Sequence, residues 1–173
     1  AGNTQNTVTL TPKSLTVTGV TIAAKTYDGT TTATVSGGAL VGVVTADTAN
    51  VTLAQTASFV SAGAANNVAL VMMGSISGTA SSNYTLTVPT GITANIARKA
   101  ITVGGTSVAA HKVYDGTTAT TISGGSLVGV ITADLPNVSL NQSGSFVQSG
   151  VGTGLGVVVS TSISGTAASN YVV

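Results

Sequence analysis

The chain of 173 residues contains no cysteine and a single histidine, His111. Without cysteine there is no disulfide framework and no thiol chemistry. A lone histidine with no acidic or thiol neighbour in the sequence offers neither a catalytic triad nor a zinc site. We therefore expect no enzyme activity, no catalytic residue, no metal site and no cofactor.

Charge and aromatic residues are equally scarce. Asp, Glu, Lys and Arg make up 5% of the chain, with a net charge of +1, and aromatic residues make up 3%. Nucleic-acid binding needs clustered basic residues, so we expect no nucleic-acid partner. A surface covered by hydroxyl and amide groups instead of charges suits a secreted or surface-assembled protein, which predicts an extracellular location.

Hydrophobic runs are short. The run from Val68 to Met73 has the length of a strand and is far too short for a transmembrane helix, so we expect no membrane insertion. Abundant Thr and Val favour strands, and 22 Gly residues favour turns between them. The pattern predicts an all-β fold of two tandem β-sandwich-like (Ig-like) domains, with at most a short helical turn in each. That turn is predicted at Thr45–Ala49, capped by Thr45 or Asp47, and Pro136 should keep its counterpart short.

The chain is a tandem duplication. The stretch from Lys25 to Thr31 returns nearly unchanged from Lys112 to Thr118, and the offset of 87 then holds without a gap to the end. Residues 13–97 form the first predicted domain and residues 98–173 the second, preceded by a segment of residues 1–12. Further matching pairs include Asp47 with Asp134, Phe59 with Phe146, and Tyr84 with Tyr171.

The repeated Tyr-Asp-Gly motif predicts a structural turn. Its residues are Tyr27, Asp28 and Gly29 in the first repeat and Tyr114, Asp115 and Gly116 in the second. We expect the tyrosine to pack with its hydroxyl on a backbone partner, the aspartate to form an Asx-type turn, and the glycine to take a positive φ. A calcium site is the alternative, but one carboxylate per loop supplies too little charge.

The order of motifs resembles a known family. Lys-x-Tyr-Asp-Gly-Thr-Thr is followed by Gly-Gly-x-Leu-x-Gly-Val and finally by Ser-Asn-Tyr, in both repeats. This series resembles the YDG-type tandem repeat of filamentous-haemagglutinin-like proteins of bacteria. The resemblance implies a structural repeat module, a stalk or spacer, of a secreted adhesin or filament on the bacterial cell surface, with a role in cell adhesion or biofilm. It implies no enzyme activity and supplies no ligand-binding residue.

The two ends of the chain are complementary in sequence. The second repeat stops at Val173, the counterpart of Leu86, so we expect it to lack its last strand. With Lys13 aligned to Lys99, Val8 falls opposite Ala94 and Leu10 opposite Ile96. A strand is predicted in this segment, from alternating hydroxyl and apolar side chains at Thr7, Val8, Thr9, Leu10 and Thr11.

These ends leave alternatives open. Either the segment belongs to the end of a preceding repeat in a longer array, or it completes the second domain of a neighbouring copy, as in a pilin-like filament built head to tail. The expected partners are neighbouring copies of the same repeat or subunit. A domain that binds host or surface glycans, or a receptor, is a further alternative, although two tyrosines per repeat are few for a glycan platform.

Overall fold

The computed structural model describes residues 7–173, so the first six residues of the predicted N-terminal segment lie outside the described residues. The chain forms two compact units. Unit 1 holds 7–25, Thr31–Ser61 and Asn66–Asn95, and unit 2 holds Thr26–Thr30, Ala62–Ala65 and Ile96–Val173. Two short segments of the first repeat, one of which contains its Tyr-Asp-Gly turn, therefore belong to the second compact unit.

The fold is all-β, as predicted, and its helical residues form only short 3-10 turns. The first repeat contains eight strands: β1 (Lys13–Ile22), β2 (Lys25–Thr26), β3 (Thr32–Ala33), β4 (Val35–Val41), β5 (Thr52–Phe59), β6 (Ala65–Ser77), β7 (Tyr84–Thr87) and β8 (Thr93–Ala97). Its 3-10 turns are η1 (Thr45–Asp47) and η2 (Ser81–Asn83).

The strands of the first repeat form two sheets. One has the order β4-β1-β7, in which β1 is antiparallel to β4 and parallel to β7; the other has the order β2-β8-β6-β5-β3. Side chains alternate between the core and the solvent, so β1 buries Leu15 and Val17 while Thr16 and Thr18 stay exposed.

The core of this repeat contains side chains from both sheets. Leu15 is fully buried, and a residue of its size contributes about 1.5–3 kcal/mol on burial. The cluster around it consists of Val51, Ala80 and Tyr84, with Leu40, Val43, Ile76 and Leu86 packed against it. A core between two sheets is the arrangement of a β-sandwich.

The second repeat contains seven strands. They are β9 (Lys99–Ala100), β10 (Thr102–Val108), β11 (Ala119–Thr120), β12 (Ile122–Val128), β13 (Ser139–Phe146), β14 (Val157–Ser164) and β15 (Tyr171–Val172), with the 3-10 turns η3 (Thr132–Asn137) and η4 (Ala168–Asn170). β10 pairs with β12, β15 pairs in parallel with β9, and a three-stranded sheet has the order β11-β13-β14.

The two repeats differ at one sheet edge. In the first repeat β8 lies next to β6. In the second, β14 is the counterpart of the C-terminal part of β6, and within residues 7–173 it has β13 as its only strand neighbour. In the first repeat β8 lies beside the N-terminal part of β6, where the Leu70 N–H donates to the Ile92 carbonyl and the Asn67 N–H donates to Asn95 Oδ1. The counterpart of that part is residues 152–157, which lead into β14, and the missing last strand of the second repeat stays a prediction.

The helical turns differ in detail from the prediction. A short turn does form at Thr45–Asp47, but its N-cap is Val44 and no side chain makes a capping hydrogen bond, so the predicted capping by Thr45 or Asp47 is wrong. Its counterpart η3 contains Pro136 and stays short, at 6 residues, as predicted, although it is longer than η1. The fixed φ of proline is compatible with 3-10 geometry, so its cost there is limited to the missing N–H group.

Residues 7–12 belong to no strand, and their side chains are exposed, Val8 by 89% and Leu10 by 96%. The strand predicted at Thr7–Thr11 is thus not formed within the single chain; its role between subunits stays a prediction. Over the range 7–173, the structure contains no helix of the length and apolar character needed to cross a membrane.

Candidate functional site

The Tyr-Asp-Gly turns have the same geometry in both repeats. In the first, the Thr30 backbone N–H and hydroxyl both donate to Asp28 Oδ1, at 2.8 and 2.9 Å, and Gly29 has a φ of 77°. In the second, Thr117 donates to Asp115 Oδ1 twice, at 2.9 and 2.9 Å, and Gly116 has a φ of 76°. This geometry is that of an Asx-type turn followed by a left-handed glycine.

Lys112 stabilises the second Tyr-Asp-Gly turn. Lys112 Nζ lies 2.8 Å from Asp115 Oδ1 and also donates to the carbonyl oxygens of Thr117 and Ala119. The hydrogen bond from Lys112, followed by those from Thr117, lowers the pKa of Asp115 to about 2. The carboxylate is therefore charged at neutral pH and is held by its partners in the loop.

The aspartates of the 3-10 turns accept hydrogen bonds from tyrosines. In unit 1 the Tyr84 hydroxyl donates to Asp47 Oδ2 at 2.7 Å and accepts the Val44 backbone N–H at 3.1 Å. In unit 2 the Tyr171 hydroxyl donates to Asp134 Oδ2 at 2.6 Å and accepts the Ile131 N–H at 3.1 Å. Each repeat thus ties its Ser-Asn-Tyr tyrosine to the turn that lies 37 residues earlier.

Asp134 holds a second tyrosine, and this one comes from the first repeat. The Tyr27 hydroxyl donates to Asp134 Oδ2 at 2.8 Å. The rings of Tyr27 and Tyr171 meet edge to face, with centroids 5.5 Å apart and an interplanar angle of 83°. Their exposed fractions are only 7% and 2%. We call Asp134, Tyr171 and Tyr27 the tyrosine junction.

Two further contacts within unit 2 accompany the tyrosine junction. The Ala64 backbone N–H donates to Asn170 Oδ1 at 2.9 Å. A Cβ added at Gly29 would lie 3.7 Å from Cδ1 of Ile131. Within unit 2, the hydrogen bond of Tyr27 to Asp134 holds one short segment of the first repeat, and that of Ala64 to Asn170 holds the other.

Burial sets the protonation of these tyrosines. Desolvation, followed by the hydrogen bond to the Asp134 carboxylate, raises the pKa of Tyr27 to about 12. Burial also raises the pKa of Tyr171 and of Tyr84, and the carboxylates that accept hydrogen bonds from their hydroxyls raise it further. All three hydroxyls are neutral donors at physiological pH.

The tyrosine of the second Tyr-Asp-Gly turn lies in a different environment. Tyr114 is 64% exposed and its neighbour Val113 is 84% exposed. Beside them is a cavity of about 780 Å³, lined by residues 108–115, Phe146, residues 148–155 and Val157 at the start of β14. Sequence reasoning treated the two turns as equivalent, but only Tyr27 is buried.

This cavity occupies the position that β8 takes in the first repeat. There, Ile96 of β8 is 2% exposed, the Tyr27 N–H donates to the Ala97 carbonyl at 2.8 Å, and the Leu70 N–H donates to the Ile92 carbonyl at 3.0 Å. Phe59 of β5 is 3% exposed, whereas its counterpart Phe146 is only half-buried. We call this cavity, which reaches the start of β14 at Val157, the strand groove.

All four acidic residues of the chain are the aspartates of the turns described above. Over the described range, no group of three or more His, Cys, Asp and Glu side chains is placed to hold a metal ion. Among residues 7–173, Tyr114 is also the only aromatic side chain with large exposure. Asp28 and Asp115 are bound within their own loops, and Tyr27, Tyr84 and Tyr171 donate hydrogen bonds to Asp47 or Asp134.

Comparison with known families agrees with the repeat. The model of the YDG domain matches the chain twice, over residues 11–92 and 97–173. No curated protein and no solved structure gave a match to this chain.

Proposed function

We propose that this chain, which belongs to the YDG domain family, is a structural repeat module of a secreted bacterial surface adhesin or extracellular filament. In this role the two repeats serve as a stalk or spacer that supports cell adhesion or biofilm formation. The family membership rests on the two matched domains, which cover nearly all of the chain.

The observation that best supports a structural role is that the repeated tyrosines and aspartates form hydrogen bonds with each other or with their own loops. In each repeat the tyrosine hydroxyl and the aspartate carboxylate bind each other, through Tyr84 and Asp47 or through Tyr171 and Asp134. The carboxylates of the Tyr-Asp-Gly turns are likewise bound to their own loops. Groups with the chemistry to bind a ligand are thus occupied in maintaining the fold.

A competition experiment separates a spacer from a direct binder. In cells that display the parent protein, replacing both repeats by a Gly/Ser linker of equal length should reduce adhesion, because such a chain is flexible and contracts. The purified repeat pair, added in excess, should leave adhesion unchanged. If the pair competes with the cells for their target, the spacer proposal fails and a glycan- or receptor-binding domain replaces it.

Antibody labelling of intact cells tests the location, with permeabilised cells as the control.

The strand groove favours a second candidate, a self-assembling, pilin-like subunit. Residues 7–11 of one copy would enter the groove of the next and pair with the residues that lead into β14, by strand addition. The alignment of Lys13 with Lys99 places Leu10 at the position of Ile96, which is 2% exposed in the first repeat. Leu10 itself is 96% exposed in the single chain, so it is accessible to a second copy.

Two substitutions in this segment test the second candidate. Leu10→Asp would bury an unpaired charge in the groove and should abolish polymers, whereas Thr9→Asp serves as the matched control. The counterpart of Thr9 is Asn95, which is exposed, so polymers of the control should persist. Sedimentation at rising protein concentration measures both. Polymers that survive Leu10→Asp, or a wild-type chain that stays monomeric, would rule out strand addition by this segment.

A further inference from the structure

We infer that Asp47 and Tyr84 form a docking site for Tyr114 of a second copy of this chain. The template is the tyrosine junction, in which the tyrosine of one Tyr-Asp-Gly turn binds an aspartate–tyrosine pair of the following repeat. The inference deepens the head-to-tail candidate described above and rests on it, because it names the side chains that meet when two copies join.

The accepting half of the site is already assembled. Asp47 and Tyr84 have the same hydrogen bonds as Asp134 and Tyr171: a hydroxyl-to-carboxylate distance of 2.7 Å against 2.6 Å, and a backbone N–H donated to the hydroxyl at 3.1 Å in both. Asp134 accepts a second tyrosine through the oxygen that Tyr171 uses. The same oxygen of Asp47 can therefore accept a second hydroxyl.

The donating half is also formed before any contact. The turn around Tyr114 matches that around Tyr27 in the φ of its glycine, 76° against 77°, and in its Asx hydrogen bonds. The difference lies in the surroundings, since Tyr27 is 7% exposed and Tyr114 is 64% exposed. Two preformed halves lose little conformational freedom when they bind.

The contacts around the tyrosine junction also have counterparts that are exposed. Ala64 and Asn170, which are hydrogen-bonded in unit 2, correspond to Val151 and Asn83. Val151 is 87% exposed, and Asn83 lies on the surface of unit 1. Val44, the counterpart of the Ile131 that packs on Gly29, is 48% exposed. Both surfaces thus present apolar groups that docking would cover.

Strand addition would place these two surfaces together. In the first repeat the Tyr27 N–H donates to the carbonyl of Ala97, the last residue of β8. Under the Lys13–Lys99 alignment, the counterpart of Ala97 is Thr11. A donated strand that ends at Thr11 beside Tyr114 leads directly into β1 of the second copy, whose unit 1 contains Asp47 and Tyr84.

Engineered cysteines test the docking, and the cysteine-free chain gives no background. The pair Asn83→Cys and Val151→Cys should produce a disulfide-linked ladder of chains under mild oxidation. The pair Ala64→Cys and Asn170→Cys is the internal control, which should close within one chain because these residues are in contact. The pair Asn83→Cys and Val128→Cys, in which Val128 is 55% exposed but lies on β12, measures random collision.

The yield of the ladder should exceed that of the collision control at least tenfold, and Tyr114→Ala in the same chain should remove most of this excess.

If the wild-type chain polymerises but the Asn83–Val151 ladder does not exceed the collision control, the docking site is overturned while strand addition stands. If the internal control does not close, the template itself is wrong. If the pair closes within a fusion of two chains but never between separate chains, the site serves adjoining repeats of one polypeptide, which contradicts docking of a second copy.

Discussion

The hydroxyl of Tyr27 donates a hydrogen bond to Asp134 Oδ2 at 2.8 Å, across 107 residues of chain. Tyr171 uses the same oxygen at 2.6 Å, so one carboxylate holds two tyrosines, one from each repeat. Asp47, the counterpart of Asp134, accepts from Tyr84. Asp134 accepts hydrogen bonds from two tyrosines, and its counterpart Asp47 accepts one from Tyr84. The effects of the same substitution at these two positions can therefore be compared.

This comparison predicts unequal costs for two equivalent substitutions. Each Asp→Asn change replaces a charged acceptor by a neutral one, which weakens a hydrogen bond by about 1 kcal/mol. Asp134→Asn affects two tyrosine bonds and should lower the free energy of unfolding by about 2 kcal/mol; Asp47→Asn should lower it by about 1 kcal/mol. Urea unfolding of both variants measures the difference. Equal losses would show that the Tyr27 bond contributes nothing.

A double-mutant cycle isolates the Tyr27 bond from other effects. Tyr27→Phe keeps the ring that packs edge to face on Tyr171 and removes only the hydroxyl. We expect it to cost about 1 kcal/mol or more in the native sequence and less in the Asp134→Asn background, because the two groups interact directly. Tyr114→Phe is the matched control, since Tyr114 is largely exposed and its change should have little effect on the single chain.

High pH should weaken the same junction. Burial and the Asp134 carboxylate raise the pKa of Tyr27 to about 12, whereas an unfolded tyrosine ionises near 10. The native state therefore binds the proton more tightly, so this contribution is complete below pH ~10 and is lost as the pH rises toward 12. Tyr84 and Tyr171 shift in the same direction. A spectrophotometric titration should show late ionisation of the buried tyrosines, and Tyr27→Phe should lower the amplitude of this late step; an unchanged amplitude would contradict the assignment.

The second Tyr-Asp-Gly turn should respond to acid. Lys112 and the Thr117 hydrogen bonds lower the pKa of Asp115 to about 2, below its unfolded value. A depressed folded pKa stabilises the native turn above pH ~4, and this effect is lost as the pH falls toward 2. Lys112→Met should return the pKa of Asp115 toward its ordinary value, as measured by NMR titration of the carboxyl carbon. An unchanged titration would mean that Lys112 does not control this group.

Gly78 and Gly91 both have a positive φ, but only at Gly78 would an added Cβ meet backbone atoms. Gly78 has a φ of 111°, and a Cβ there would clash with the Asn50 carbonyl oxygen, whereas Gly91 has a φ of 72° and open space around it. Gly91→Ala should cost about 1–2 kcal/mol of unfolding free energy from the left-handed backbone alone. Gly78→Ala should cost clearly more, because the backbone at Asn50 must also move. Similar losses in denaturant unfolding would contradict the close approach.

The sequence predicted those features that depend on local pattern and on the repeat. Alternating side chains identified β1, and the offset of 87 identified the two copies of the YDG domain. The missing last strand of the second domain stays a prediction. The sequence could not predict the tyrosine junction, since the distance between Tyr27 and Asp134 depends on how side chains of two repeats pack. The predicted cap at Asp47 failed for a related reason: its carboxylate accepts the Tyr84 hydroxyl in place of a backbone N–H.

The N-terminal segment shows the limit of periodicity as evidence. Residues 7–11 alternate hydroxyl and apolar side chains as regularly as β1, yet they form no strand in the single chain. Alternation specifies which face of a strand is apolar, but a strand also needs a neighbour with free backbone groups. That neighbour is present for β8 in the form of β6. Residues 152–156, the counterparts of the part of β6 beside β8, form no strand in the second repeat.

Hydrogen exchange tests the start of β14 directly. In the first repeat the Leu70 N–H donates to Ile92 beside β8, and the counterpart of Leu70 is Val157, at the start of β14. With no strand across the groove, the Val157 amide should exchange faster than the Leu70 amide by an order of magnitude or more. A synthetic peptide of residues 1–12 should slow exchange at Val157 and leave Leu70 unchanged, whereas the same peptide with Leu10→Asp should slow neither. Equal exchange at the two amides without peptide would show that the edge of β14 is already covered.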